Sequence, residues 1–255
     1  MPAVALTIAG SDPSGGAGIQ ADLKTFHRFG VYGEAVITLI TVQNTAGVSR
    51  VETLAPELVL EQIAAVVGDI PPAAAKTGAL GSAAMVKAVA RAAAEWNFPL
   101  VVDPVMLSKH GAPLLPEDAV EALRSELLPR AALVTPNIPE ACVLTGTDDS
   151  HEAARRIHTM GARAVLVKGG HRRGCAIDLL FDGSRFLELP AARVDTRHTH
   201  GTGCTLSAAI TAGLALGLDL RRAVARGKRF INAAIRTNPG LGRGCGPVNH
   251  HAEVA

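Results

Sequence analysis

Late in the chain, Thr199-His200-Gly201-Thr202-Gly203-Cys204-Thr205 runs straight into a small-residue apolar helix pattern, Leu206 to Leu214. Two glycines ahead of a helix permit close backbone approach. The first N–H groups converge on one spot, where the positive end of the helix dipole favours an anion. Gly201, Thr202 and Gly203 therefore have the pattern of a phosphate cradle. Cys204 lies in the same field, which is expected to ease ionisation of its thiol, so that it acts as a base beside a transferring phosphoryl group. The bland alternative is a glycine-started helix holding a structural cysteine. Neither the Walker A pattern nor the protein-kinase motif set occurs.

The remaining candidates follow predicted strands. Asp103, in Val101-Val102-Asp103-Pro104, places a carboxylate at a strand end, where it holds Mg²⁺ and orients phosphates or merely starts a turn. Asn137 and Glu140, in Thr135-Pro136-Asn137-Ile138-Pro139-Glu140, face the same way three residues apart, as ligand groups or as a helix cap. Lys168, in Val165-Leu166-Val167-Lys168-Gly169-Gly170, is placed to meet a phosphate as a compact charge. The glycine-dense loop Gly10 to Asp22 opens a helix and offers backbone amides and Asp22 to a small polar substrate. Within it, Gly16-Ala17-Gly18-Ile19-Gln20-Ala21 matches a dinucleotide fingerprint in form. It lies too far into the loop, however, and Thr41-Val42-Gln43-Asn44 stands where the ribose-binding acid belongs, which argues against NAD. These parts together describe Mg²⁺-assisted phosphoryl transfer in which Cys204 takes the acceptor's hydroxyl proton.

The elements that must position these residues are legible as well. In 255 residues the chain is 48% hydrophobic but 3% aromatic, with 26 Gly, which suits buried parallel strands under small-residue helices. Strands are predicted at Ala3–Ala9, Ala35–Thr41, Ala73–Thr77, Leu100–Asp103, Ala132–Thr135 and Ala164–Lys168. A hairpin, Ala176–Phe181 with Ser184–Leu189, turns at Asp182-Gly183. Helices are predicted at 18–29, 57–67, 83–96, 117–127, 139–144, 151–160, 202–216 and 220–236. This alternation predicts one doubly wound α/β domain over residues 1–255, with ligands at the carboxyl ends of its strands. Lys+Arg 25 against Asp+Glu 23 leaves no electrostatic footprint for nucleic acid or an anionic membrane. No apolar run approaches the ~20 residues of a membrane span, and Met1–Ala9 lacks a basic leader, so a cytoplasmic enzyme with a small-molecule substrate is expected. The four cysteines show no CxxC spacing, against a zinc site or disulfide framework, and His250-His251 has the look of a solvated tail pair.

In order along the chain, Ala9 to Thr25, Gln43-Asn44-Thr45, Thr135 to Glu140, Val167 to His171, and His200 to Ala209 closely resemble the hydroxymethylpyrimidine/phosphomethylpyrimidine kinases of the ribokinase-like family. The resemblance implies a three-layer α/β/α sandwich with a mostly parallel sheet. It also implies ATP-dependent phosphorylation of 4-amino-5-hydroxymethyl-2-methylpyrimidine, then of its monophosphate, in thiamine biosynthesis. It assigns Asn137 and Glu140 to Mg²⁺ and phosphates, Asp103 to the metal and phosphates, Lys168 to phosphate, Gly201 to Cys204 to the anion hole, and Cys204 to the base that is Asp in most of the wider family. Gln43 is implied to bond the pyrimidine ring, with backbone groups of Ala17 and Val42 nearby, and a homodimer is implied. Gly246-Pro247-Val248 also resembles these enzymes. Lys76-Thr77-Gly78-Ala79-Leu80 departs from a Met common in relatives, which keeps a pyridoxal or pyridoxine kinase open. A nucleotide-binding sensor without catalysis is the alternative from another class.

Overall fold

Strands β1 (Val4–Ser11), β2 (Tyr32–Asn44), β4 (Ala74–Thr77), β5 (Leu100–Val102), β6 (Leu133–Val134) and β7 (Val165–Val167) pair in parallel, in the order β2-β1-β4-β5-β6-β7. Antiparallel strands flank them, β3 (Gly47–Thr53) beside β2, and β8 (Asp178–Phe181) with β9 (Phe186–Leu189) beyond β7. The computed structural model describes residues 1–109, 111–171 and 176–254.

Side chains alternate across each parallel strand, which is why the sheet carries helices on both faces. Leu6, Ile8, Ala75, Leu100, Val102, Val134, Val165 and Val167 belong to one core cluster. Ala5, Ala74, Val101, Leu133 and Leu166 belong to the other. Onto the first pack α2 (Pro56–Asp69), α3 (Ala83–Ala93), α4 (Glu117–Ala122), α5 (Ile138–Thr145) and α6 (Ser150–Thr159). Onto the second pack α1 (Gly18–Arg28), α7 (Thr202–Ala215) and α8 (Leu220–Arg236). The result is the expected three-layer α/β/α sandwich.

Two expectations need correction. The second strand is predicted to stop at Thr41, yet it runs to Asn44 and turns through Thr45-Ala46 into β3, which the sequence pattern misses. An Asx turn makes the reversal: the Ala46 N–H donates to Asn44 Oδ1 at 2.8 Å. The helix expected over 117–127 is α-helical only to Ala122 and continues as a π-helical turn, Leu123–Leu127.

Candidate active site

The carboxyl ends of β1, β4, β5, β6 and β7 open toward the start of α7. Gly201 caps α7 at φ 76°, and a Cβ there would lie 1.8 Å from the Gly16 carbonyl oxygen, so only glycine lets the two loops meet this closely. No side chain caps α7, and Gly201, Thr202, Gly203 and Cys204 line an open cavity of about 840 Å³. The Thr202 N–H donates to the Thr199 carbonyl at 3.3 Å, and the Gly203 and Cys204 amides together with the helix dipole are available to an anion.

Across the cradle lie the residues that follow β5, β6 and β7. Asp103 is buried; its Oδ1 accepts from Lys168 Nζ at 2.8 Å and Thr135 Oγ1 at 3.2 Å, and its Oδ2 from Ser207 Oγ at 3.3 Å. A Cβ on Gly203 would stand 3.2 Å from Lys168 Nζ, which puts the ammonium directly against the cradle. Burial works against the charge on Lys168, but the carboxylates of Asp103 and Glu140 outweigh it and hold its pKa above the usual lysine range. Asn137 and Glu140 form a capping box on α5, with Asn137 N–H donating to Glu140 Oε2 at 2.8 Å and Glu140 N–H to Asn137 Oδ1 at 2.9 Å. Cap and cavity lining are therefore the same residues. Burial pushes the Glu140 carboxyl up to about 7, Lys168 working against this and Asp103 adding to it.

Two expected substrate contacts lie elsewhere. Asp22 is fully buried and does not line the cavity; its Oδ2 accepts from Lys76 Nζ at 2.8 Å and Thr7 Oγ1 at 2.7 Å. It faces inward because α1 packs against β1 and β2 with Asp22 turned toward Thr7 of β1 and Lys76 of β4. Val42 is exposed on β2 and also lies outside the lining, its carbonyl accepting from Ser49 Oγ at 3.1 Å. A β-bulge between Val42 and Gln43 turns only the next residue inward. Ala17 lines the cavity, but its N–H already donates to Asp12 Oδ2 at 2.9 Å.

The thiol expectation is also corrected. Burial pushes Cys204 up to about 12, the Asp22 carboxylate adds to the rise, and Lys76 opposes it. The helix start alone promised an easily ionised thiol; burial of the sulfur, with the Asp22 carboxylate adding to it, reverses the sign, and neither is visible to local pattern. Gln43 does reach the cavity, and its amide nitrogen lies 3.2 Å from Nε2 of His200, which meets Asp12 Oδ2 at 2.8 Å. Sequence reasoning missed Asp12, His200 and Lys76. Their signals were present: two lie in or beside the two glycine-rich loops, and Lys76 is a charge inside a four-residue strand that is buried throughout.

A wholly sandwiched parallel sheet with an anion cradle, lysine and two carboxylates at its carboxyl edge defines a ribokinase-like kinase. Residues 12–249 match the phosphomethylpyrimidine kinase family model. The chain is 51% identical over 259 residues to a hydroxymethylpyrimidine/phosphomethylpyrimidine kinase of Rhizobium meliloti, covering 98% of this chain and 97% of that one. It is 52% identical over 252 residues to the thiamine biosynthesis bifunctional protein ThiED of Geobacter sulfurreducens; that match takes in 96% of this chain and about half, 51%, of the longer protein. Among solved structures, it superposes on Staphylococcus aureus pyridoxal kinase in complex with AMP-PCP and pyridoxal with a TM-score of 0.91 at 37% identity, covering 99% and 94% of the two chains. The chain belongs to the phosphomethylpyrimidine kinase family, and it is a phosphotransferase of the thiamine-biosynthesis class.

Proposed function

We propose that this chain transfers the γ-phosphoryl group of ATP to the hydroxymethyl oxygen of 4-amino-5-hydroxymethyl-2-methylpyrimidine, and then phosphorylates the resulting monophosphate. The observation that carries the reading is the meeting of the uncapped α7 start with Lys168, Asp103 and Glu140 around one cavity. The α7 amides and Lys168 hold the transferring group and its developing charge, and Gln43 on the opposite side takes the ring. Asp103 and Glu140 fit Mg²⁺: both are oxygen donors on one cavity, and a cation there would favour the Glu140 carboxylate that burial disfavours. Among the described residues no group of three His, Cys, Asp or Glu forms a metal cage, as suits an ion that takes most of its ligands from phosphates and water. Bound there, Mg²⁺ neutralises phosphate charge.

Cys204 is the proposed acceptor of the hydroxyl proton. It works as thiolate, so its action depends on the fraction ionised. ATP- and Mg²⁺-dependent turnover of the aminopyrimidine alcohol, followed by mass spectrometry of mono- and diphosphate, tests the reading; absence of turnover on any hydroxymethyl heteroaromatic overturns it. A second reading, phosphorylation of pyridoxal, is favoured by the small Ala79 on the cavity wall and is tested in the same assay. Calorimetry that found ATP binding without transfer would turn the reading toward a sensor. The homodimer implied by resemblance is supported by Ile40 and Val42, exposed together on β2, and light scattering tests it. No helix among the described residues is long and apolar enough to cross a membrane, and the use of ATP supports a cytoplasmic enzyme.

A further inference from the structure

Asp12 is among the most heavily bonded side chains of the site. Its Oδ1 accepts from Ser14 N–H at 2.9 Å, and its Oδ2 from Ser14 Oγ at 3.0 Å, Gly16 N–H at 3.2 Å, Ala17 N–H at 2.9 Å and His200 Nε2 at 2.8 Å. Burial works to raise its pKa, but these donors, His200 first, outweigh it and keep the carboxyl below its usual range. Asp12 is thus an ionised acceptor, and the nitrogen 2.8 Å away must carry a hydrogen. This holds whether the imidazole is neutral or charged.

The consequence falls on Gln43. A nitrogen that donates to Asp12 has no lone pair for the Gln43 amide, so an N–H donor cannot face it from 3.2 Å. A half-turn of the planar amide, which leaves its shape unchanged, places Oε1 against Nε2–H and turns the NH₂ group away. His200 has no freedom to yield instead. Its N–H donates to the Gly246 carbonyl at 3.0 Å, its carbonyl accepts from Val248 N–H at 3.3 Å, and its ring is seated where a Cβ on Gly16 would be 2.5 Å from Cδ2.

We propose that His200, held by Asp12, is a positioning residue that fixes the Gln43 amide with its NH₂ group turned into the cavity, so that the enzyme selects rings presenting a hydrogen-bond-accepting nitrogen. This rests on the pyrimidine kinase reading and deepens it. An aromatic ring nitrogen with a free lone pair satisfies the donor; a C–H at that position leaves it buried and unpaired.

The test compares KM and kcat for the aminopyrimidine alcohol with those for its 1-deaza and 3-deaza pyridine analogues. In the unaltered enzyme one analogue is expected to show a KM about tenfold higher or more, the usual cost of stranding a buried donor, with kcat nearly unchanged. In His200→Phe that ratio falls toward one while KM for ATP stays near its original value, an outcome that general loss of structure would not give. Gln43→Glu, of the same size but without a donor, gives the same collapse and serves if His200→Phe fails to fold. Equal KM values for all three rings in the unaltered enzyme, or a ratio that survives in both variants, overturns the proposal. Failure to turn over the pyrimidine at all would instead strike the underlying kinase assignment.

Discussion

Two lysine–aspartate pairs flank the phosphate cradle, both closed at 2.8 Å, and they differ in what can reach them. Lys76 and Asp22 are 0% exposed and line no part of the cavity, whereas Lys168 keeps 13% exposure and lines it together with Asp103. A sealed pair cannot exchange partners; it acts on Cys204 only through its field. The open pair can release Lys168 to an incoming phosphate while Thr135 and Ser207 keep Asp103 satisfied. The same bond therefore serves folding and electrostatic tuning at one site and ligand capture at the other.

The widest separation of these roles comes from truncating each pair. Asp22→Ala strands the Lys76 ammonium in the core and is expected to cost about 3–5 kcal/mol in urea unfolding. Asp22→Asn with Lys76→Met, which removes both charges at similar volume, recovers most of that stability. Lys168→Met is expected to leave stability within about 1–2 kcal/mol of the unaltered enzyme, in the ordinary range for a point change, while kcat/KM for ATP collapses. The contrast fails if Lys168→Met unfolds the protein and Asp22→Ala does not.

Cys204 lies under both influences. Cys204→Ser is expected to lower kcat by about 10²-fold or more, the usual share of a general base, with nucleotide affinity unchanged. Because burial and Asp22 hold the thiol at about 12, the active thiolate grows with pH, and kcat should climb tenfold per pH unit without a plateau below about pH 10. The variant should lose that slope. A flat profile in the unaltered enzyme, or near-normal turnover in Cys204→Ser, would confine the sulfur to packing.

How far the sequence carried these conclusions differs between the cradle and what lies beneath it. Gly201 to Cys204, Lys168, Asp103, Asn137 and Glu140 are legible because each stands at a strand end or helix start, where local pattern fixes position. Helix α8 and the β8–β9 hairpin were readable for the same reason. Asp22 was misplaced because its loop has the composition of a ligand loop, while its direction is set by Thr7 and Lys76, distant in sequence. The rise in the Cys204 pKa, the β-bulge that separates Val42 from Gln43, and the Asp12–His200 contact across 188 residues are likewise tertiary facts. Strand β3 escaped because its reversal rests on an Asx turn rather than a glycine pair.

A smaller effect separates charge from capping at Glu140. Its folded pKa near 7 lies above the ordinary 4.5, so the folded state holds the proton more tightly than the unfolded chain. That contribution to stability is complete below about pH 4.5 and is lost as pH rises through 7. Glu34, also near 7 through burial and Asp69, acts in the same direction, so the Glu140 share must be read as a difference. Glu140→Gln, which keeps an oxygen for the Asn137 N–H, should show a smaller fall in urea stability between pH 5 and pH 8 than the unaltered enzyme. An equal fall would place the perturbation elsewhere.

Asn137 sharpens the comparison last, because its cap and its place on the cavity predict different things. Asn137→Ala removes the acceptor of the Glu140 N–H and should cost about 1 kcal/mol, as loss of a good N-cap does. Asn137→Asp caps equally well and should preserve stability, yet it adds a negative charge to the wall that already crowds Asp103 and Glu140. If that wall receives phosphates, Asn137→Asp raises KM for ATP at unchanged unfolding free energy. If Asn137 serves only the helix, Asn137→Asp is silent and Asn137→Ala affects stability alone, and the phosphate-binding wall must then be drawn without it.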